Sequence, residues 1–521
     1  MKKTSIKIII CIITAAAVFI STARITDRFN DRQAGAYRQF EGFYAQPEGS
    51  VDVLFVGSSR VHTNIDPAAL WEDYGISSYC LGLNSQTINT TYYALKEAFK
   101  YQDPKVVVVE ASQIPESFER MSGFPSLYGM RYGMNYINAV LEECDPEWIV
   151  AALLKFPLYH TGYRETDKEV YIGDEYLSYP RSRASGYKGA VEYNFCEPFD
   201  PYTDEYVEEG FLFDDETDGY FDRIVKLCEE NSAALIFTLT PAVHRIRQIG
   251  VYDYMQRHPE VTFLNTSDHY EEIGMDTAAD YIDEGHLNVY GSMKVGRFFG
   301  RYLHDNYDLA DHRGDAKYVS WDENLTFHYR KLENDELKTV NGFGTYYEHF
   351  PKEDYVVIVS LLGDYDREYI GQTDALKHVL CNEAVYKLGG TWVTDGSEII
   401  YGAFGYEDEE RKAVNTEDGS AETLIKLGYS ADEAGPDSKR VSNEWHADIG
   451  NRTFEIRDDE EGLPCILIDN KDYSVYKDYG KTKVRNGIEA VVYDKLSEQV
   501  VDAVCFDADN GWAATRNVED N

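Results

Sequence analysis

Three side chains in this sequence have the types and spacing for acyl transfer. Ser59 lies in Gly57-Ser58-Ser59-Arg60, directly after the apolar run Val51–Val56. A serine on a tight turn leaving a strand, beside a residue without a Cβ, is well placed as a nucleophile. Far downstream stands Asp283-Glu284-Gly285-His286-Leu287-Asn288. The Asp-x-x-His spacing lets the carboxylate reach one ring nitrogen, which fixes the tautomer and leaves the other nitrogen as a base. Each motif alone has a bland reading, since Gly-Ser-Ser and Asp-x-x-His are both ordinary turns. Set after strands of one alternating series, they make a Ser-His-Asp candidate. Gly82-Leu83-Asn84 closes a second apolar run in the same series. Arg60 and His62 follow the serine, open either to contact with an anionic substrate or to a plain surface role.

The elements that must hold these residues alternate strand and helix. Val51–Val56, Ser77–Leu81, Lys105–Glu110, Ala234–Leu239 and Val261–Asn265 read as strands. The third is apolar on both faces, as a central parallel strand must be. Asp66-Pro67 opens a helix as N-cap and first helical residue. Helices are expected over Thr90–Tyr101, Gly219–Asn231 and Tyr290–His304. Five such strands predict a three-layer α/β/α domain over about 25–306 with a parallel sheet. In such sheets reactive groups gather at the carboxyl ends of the strands. The stretch from about 111 to 218 is too long for a loop and reads as a helical and irregular insertion capping that edge. In it, Lys155–His160 is open to a pocket-lining role or to packing. A polar link is expected over 307–340. A second, α+β domain follows over 341–521, with strands at Tyr355–Leu361, Glu398–Tyr401, Pro464–Asp469, Gly487–Tyr493 and Val500–Phe506 and a helix near Thr373–Leu388.

Composition narrows the partners. With 43% hydrophobic and 27% charged residues, the 521-residue chain is not a disordered or collagen-like one. Its 92 acidic against 50 basic groups give a net charge of −42. That charge repels phosphate backbones, so no nucleic acid partner is expected. The 42 tyrosines suit sugar-binding surfaces and half-buried sheets equally. Eight scattered cysteines show no CxxC and no zinc spacing, so no metal or cofactor is expected. Asp507–Gly511 begins like a calcium loop, but its glycine comes one position early. Lys2, Lys3 and Lys7 precede the apolar run Ile8–Ile20, which Arg24 closes. This is an export signal, either cleaved near Ser21-Thr22-Ala23 or kept as an N-terminal anchor. The rest of the chain is therefore expected to be extracytoplasmic and membrane-anchored, with a secreted form as the alternative.

Residues 50–306 resemble the SGNH (GDSL-type) hydrolase superfamily, whose fold is flavodoxin-like. Val53–Ser59 is similar to its first block, with Ser58 where the family has Asp and Ser59 at the nucleophile. Gly82 matches the second-block glycine, and Asp283 and His286 match the last block. The resemblance implies Ser59, Asp283 and His286 as catalytic residues and the N–H groups of Ser59 and Gly82 as oxyanion donors. The third block departs from the pattern. Glu110-Ala111-Ser112-Gln113 stands where the family has Gly-x-Asn-Asp, which leaves Ser112 or Gln113 as the substitute third donor. Asn84, Ser112, Gln113 and His160 are the expected substrate contacts.

The layout is also similar to extracytoplasmic members of that superfamily in teichoic-acid D-alanyl transfer and polysaccharide O-acetylation. This implies esterase or O-acyltransferase chemistry on a cell-surface polysaccharide or glycan, beside a membrane-bound O-acyltransferase. Asp469–Ser474, Arg485–Asp494 and Val500–Asp507 resemble the ILEI/PANDER domain, which implies a glycan-binding or interaction module over about 341–515. Two further functions stay open: a non-catalytic glycan-binding or assembly protein that keeps the fold, and an esterase for small or lipid esters.

Overall fold

The computed structural model describes residues 35–112, 124–155, 188–202, 205–346, 354–362, 390–394, 399–404, 406–407, 439–440, 444–459, 463–475 and 487–516, with a few positions between 7 and 22. The expected helix near 373–388 lies outside these residues, as does most of the N-terminal apolar run. Among the described residues, no helix is long and apolar enough to cross a membrane. The chain divides into two compact units, Met1–His328 and Tyr329–Asn521.

The first unit is built on five parallel strands, β1 (Val53–Gly57), β2 (Ser78–Gly82), β3 (Val106–Glu110), β4 (Ala234–Leu239) and β5 (Thr262–Asn265), in the order β2-β1-β3-β4-β5. All residues of β1, β2 and β3 are buried. Successive side chains of a strand point to opposite faces, and here they enter two separate cores. Leu54, Val56, Val107 and Val109 pack with Phe40, Leu95 and Phe221. Val53, Phe55, Val106 and Val108 pack with Leu70, Val295 and Phe299. Those partners come from helices on the two faces: α1 (Gly35–Tyr44), α4 (Ile88–Ala98) and α7 (Asp215–Glu230) on one, α3 (Pro67–Tyr74) and α9 (Val289–Asn306) on the other. Three layers result.

Helix starts follow from local chemistry. Asp66 caps α3 by accepting from the Ala68 N–H at 2.8 Å, with Pro67 at the first helical position. Asp214 accepts from Thr217 N–H, so α7 begins four residues earlier than its apolar spacing suggests, and the acidic run Asp215–Asp218 fills its first turn. Asn288 caps α9 through Gly291 N–H.

The described parts of the 111–218 stretch include helices α5 (Met134–Glu143) and α6 (Ile149–Leu153). Tyr136, Ala139 and Val140 of α5 join the core on the α4 face. Residues 188–202 run from the outer edge of β2, where Cys80 N–H donates to Lys188 O, past His62 O to the backbone of Tyr281 and Val289. This stretch satisfies part of an edge strand that would otherwise stand open.

Residues 307–340 hold more than a polar link, because α10 spans Val319–Thr339 and the division between units falls inside it. In the first unit Trp321 is fully buried and donates to Ser78 O at 3.1 Å. In the second unit Asn334 donates to Asp494 and accepts from the Tyr355 hydroxyl.

That second unit is antiparallel. Strands β6 (Tyr355–Leu362), β7 (Gly390–Thr394), β8 (Ile399–Phe404), β13 (Gly487–Asp494), β14 (Gln499–Asp507) and β15 (Ala513–Arg516) pair in the order β8-β7-β6-β13-β14-β15. Strands β9 (Glu444–Ile449), β10 (Arg452–Asp458), β11 (Pro464–Ile468) and β12 (Lys471–Asp472) form a second sheet in chain order. Val356, Ile358, Val491 and Tyr493 of one sheet share a core with Trp445, Phe454, Ile456 and Ile466 of the other. Among the described residues Cys11, Cys80, Cys144, Cys196, Cys228 and Cys505 are free thiols.

Candidate active site

Ser59 is the first residue of the short helix α2 (Ser59–Asn64), and Ser58 is its N-cap. The turn depends on two glycines. Gly57 has φ +148°, and a Cβ there would meet Glu110 O at 2.7 Å. Gly82 ends β2 opposite Gly57, and a Cβ on it would meet Val61 Cβ at 2.5 Å and Ser58 O at 2.7 Å. The second-strand glycine therefore lies directly against the turn that carries Ser59.

The fold brings Ser59, His286 and Asp283 together from opposite ends of the unit's sequence. Ser59 Oγ is 2.7 Å from His286 Nε2. His286 Nδ1 is 2.8 Å and 3.0 Å from the two carboxylate oxygens of Asp283. A carboxylate accepts, so Nδ1 carries the proton and Nε2 presents its lone pair to the Ser59 hydroxyl. Asp283 also accepts from the N–H groups of Gly285 and His286, at 2.8 and 2.9 Å. Partial burial works against its charge, but these N–H groups and the His286 ring outweigh it and hold the carboxyl below the usual range. Asp283 is half-exposed, so solvent screens the effect.

Two supporting residues carry no sequence signal. Asn64 is fully buried at the end of α2. Its amide donates to Gly285 O at 3.0 Å and Thr240 Oγ1 at 3.1 Å, and its oxygen accepts from Leu287 N–H at 3.1 Å. It thus grips the backbone on both sides of His286 from the helix that begins with Ser59. Glu110 ends β3, buried, and accepts from Ser58 Oγ at 2.9 Å and from Ser112 N–H at 3.1 Å. A serine and a glutamate together back the turn that carries Ser59.

His62 is buried rather than on the surface, 7% exposed, with Nδ1 3.0 Å from Gly82 O. Burial pushes it down to about 4, so it is neutral and donates to that carbonyl. Asn84 is exposed in the turn after β2. Ser112 spends its N–H on Glu110, and its buried hydroxyl has no hydrogen-bond partner among the described residues. Lys155 is buried, with its ammonium on the carbonyls of Tyr128 and Met130. Gln113 and His160 lie outside the described residues.

Among the described residues one group has the composition of a metal site, Asp66, Glu192 and His328. His328 Nδ1 is 2.7 Å from Glu192 and its Nε2 is 3.6 Å from Asp66. Burial opposes a charge on the ring, but the two carboxylates outweigh it and lift His328 to about 9. Glu192 and Asp66 face the two ring nitrogens and hold the imidazole protonated, while burial raises the Asp66 carboxyl. Its members stand far apart in sequence, at the start of α3, in α10 and in the 188–202 segment, and no ligand spacing announces it.

No family model matches the chain, and no curated protein matches it. Solved structures are similar at low identity. A protein named as an acylhydrolase from Bacteroides fragilis is 14% identical, covering 53% of this chain and 98% of its own, with a TM-score of 0.25. A protein named as lipolytic, of the G-D-S-L family, from Desulfitobacterium hafniense is 12% identical over 49% of this chain and 99% of its own, with a TM-score of 0.23. A protein named as a GDSL-like lipase from Bacteroides thetaiotaomicron is 13% identical over 49% and 89%, with a TM-score of 0.22. What the site can do is therefore judged from this chain's own atoms.

Proposed function

We propose that the first unit is a serine ester hydrolase or O-acyltransferase of the SGNH type, working outside the cytoplasmic membrane on acyl groups of a cell-surface glycan. The observation that carries this reading is the Ser59–His286–Asp283 chain of contacts. Ser59 Oγ attacks the acyl carbonyl carbon as His286 Nε2 takes its proton. Asp283 stabilises the imidazolium that forms. The N–H groups of Ser59 and Gly82 are assigned to the oxyanion. His286 then protonates the departing alkoxide, which leaves an acyl-enzyme on Ser59. Water or a sugar hydroxyl, deprotonated by His286, attacks that ester and releases Ser59. Which acceptor reaches the carbonyl decides hydrolysis or transfer.

The altered third block sets the expected strength of this chemistry. Glu110 binds the Ser112 N–H, so of Ser112 only the hydroxyl remains to serve the oxyanion. One missing oxyanion donor costs about 100- to 1000-fold in rate. The same block favours the second reading, a non-catalytic glycan-binding or assembly protein. Residues 1–24 are assigned as membrane anchor or signal, and the second unit as a glycan-binding or interaction module beside a membrane-bound O-acyltransferase. Labelling of the purified protein with a serine-reactive fluorophosphonate separates the two readings. Labelling that disappears in Ser59→Ala supports the enzyme; a wild type that never labels leaves the binding protein.

A further inference from the structure

Beside Ser59 stands a cation that meets no carboxylate among the described residues. Arg60 follows the serine directly and is half-buried. Its guanidinium rests on the bare Cα of Gly285, the residue before His286. A Cβ there would come within 2.5 Å of Nη2 and 3.0 Å of Cζ. Nη1 is buried without a hydrogen-bond partner among the described residues. The other half-buried arginines described in this unit all meet carboxylates: Arg223 with Glu142 at 3.0 Å, Arg245 with Asp268 at 2.9 Å, and Arg247 with Glu208 at 3.9 Å. In a chain with 92 acidic groups, Arg60 is the one half-buried arginine described in this unit that meets no carboxylate, and it lies between the nucleophile turn and the base loop.

Elementary electrostatics says what such a group is for. A buried N–H without an acceptor is costly, so the position calls for an acceptor that arrives from outside. The chain's net charge of −42 repels anions at long range, so a substrate carrying an anionic group needs a dedicated local cation. A guanidinium offers a rigid fork of N–H donors that matches carboxylate and phosphate oxygens two at a time.

We propose that Arg60 is a specificity-determining residue, binding an anionic oxygen group, carboxylate or phosphate, on the substrate of the Ser59 site. This rests on the reading of Ser59 as nucleophile, and the experiment keeps the two apart. The full-length protein and its Arg60→Met and Arg60→Lys variants are assayed with p-nitrophenyl hemisuccinate and p-nitrophenyl butyrate, which differ in a terminal carboxylate. The wild type is expected to favour the anionic ester. The ratio of kcat/KM values should fall about tenfold to a hundredfold in Arg60→Met, and by less in Arg60→Lys, which keeps the charge but not the fork. Thermal unfolding checks that the variants fold. An unchanged ratio overturns the proposal. If neither ester turns over and the fluorophosphonate does not label, the acyl-transfer reading has failed, and binding decides Arg60 by itself. Inorganic phosphate and succinate are then titrated calorimetrically into Ser59→Ala and Ser59→Ala/Arg60→Met. Weaker binding of either anion in the double variant supports the assignment and tells phosphate from carboxylate. Equal binding of both, or none, overturns it.

Discussion

Two histidines in the first unit stand in nearly matching surroundings and do different things. His286 has Asp283 on Nδ1 and the Ser59 hydroxyl on Nε2. His328 has Glu192 on Nδ1 and Asp66 on Nε2. A carboxylate on one nitrogen only orients the ring and supports a transient charge. A carboxylate on each nitrogen keeps the ring charged up to about pH 9, and a charged imidazole cannot act as a base. Burial separates them further. The His328 side chain is 1% exposed, whereas His286 is 29% exposed and faces solvent where a substrate could approach. The second neighbour, more than the residue type, decides between a proton acceptor and a structural ion.

Removing each ring in turn separates the two roles by the largest margin. Ser59→Ala and His286→Ala are expected to lower ester turnover by about four orders of magnitude or more, with little change in urea unfolding. His328→Ala should do the reverse. It removes the cation from between two buried carboxylates, which costs about 3–5 kcal/mol. Fluorophosphonate labelling of the folded fraction should persist. A His328→Ala protein as stable as wild type would show that this triad is not the ion cluster described here.

The pH dependence sharpens the same contrast. The folded value of His328 is about 9, above the unfolded value of about 6.5. A raised value means that protonation favours the folded state. The contribution is therefore complete below about pH 6.5 and is lost as pH rises through 9, a difference of about 3 kcal/mol. The urea stability of wild type relative to His328→Gln should fall between pH 6 and pH 10. Buried Lys188, lowered to about 7, acts with the opposite sign, but it does so in both proteins and cancels in the difference. Asp283 has the opposite sign. Its lowered value adds stability above the ordinary carboxylate range that disappears as pH falls, and exposure keeps that effect small.

The two histidines are also unequal in how far the sequence discloses them. His286 sits in a four-residue motif after a strand, so its partner is local and its spacing readable. The partners of His328 lie 136 and 262 positions away, and nothing in a linear pattern brings Asp66, Glu192 and His328 together. The parallel sheet is legible for a related reason. Runs such as Val106–Val109 are apolar at every position, which only a strand buried on both faces tolerates. The first half of α10 is hidden because its core-facing residues, Trp321 and Leu325, are few among charged neighbours and read as a polar link. Asn64 is hidden because a buried amide is indistinguishable in sequence from an exposed one.

Asn64 offers a smaller test of the same site. It holds the loop around His286 by accepting from Leu287 N–H and donating to Gly285 O. Asn64→Ala leaves those groups buried and unpaired, for an expected loss of about 2 kcal/mol. Because the loop carries His286, the base of the proposed reaction, kcat should drop as well. In Asn64→Asp the oxygen still accepts from Leu287, but the donor to Gly285 is gone, so an intermediate loss is expected. If kcat is untouched in both variants, His286 is held by something other than this amide.

Ser58 is where the expected effect is smallest and most diagnostic. It neighbours Ser59, yet its hydroxyl points away to Glu110 at 2.9 Å and accepts from Arg60 N–H at 3.3 Å as the cap of α2. Loss of such a cap costs about 1 kcal/mol. Ser58→Ala should thus destabilise slightly and keep a substantial part of the labelling and turnover, in contrast to Ser59→Ala. Glu110 would keep its bond from Ser112 N–H, so the buried carboxylate is not stranded. Glu110→Gln removes the negative charge and keeps one acceptor oxygen, enough for the Ser112 N–H, while its amide N–H takes the place of the oxygen that Ser58 Oγ donates to. Were Ser58→Ala the inactive variant and Ser59→Ala the active one, the nucleophile would have to be reassigned by one residue. The 2.7 Å approach of Ser59 Oγ to His286 would then be a contact without chemistry.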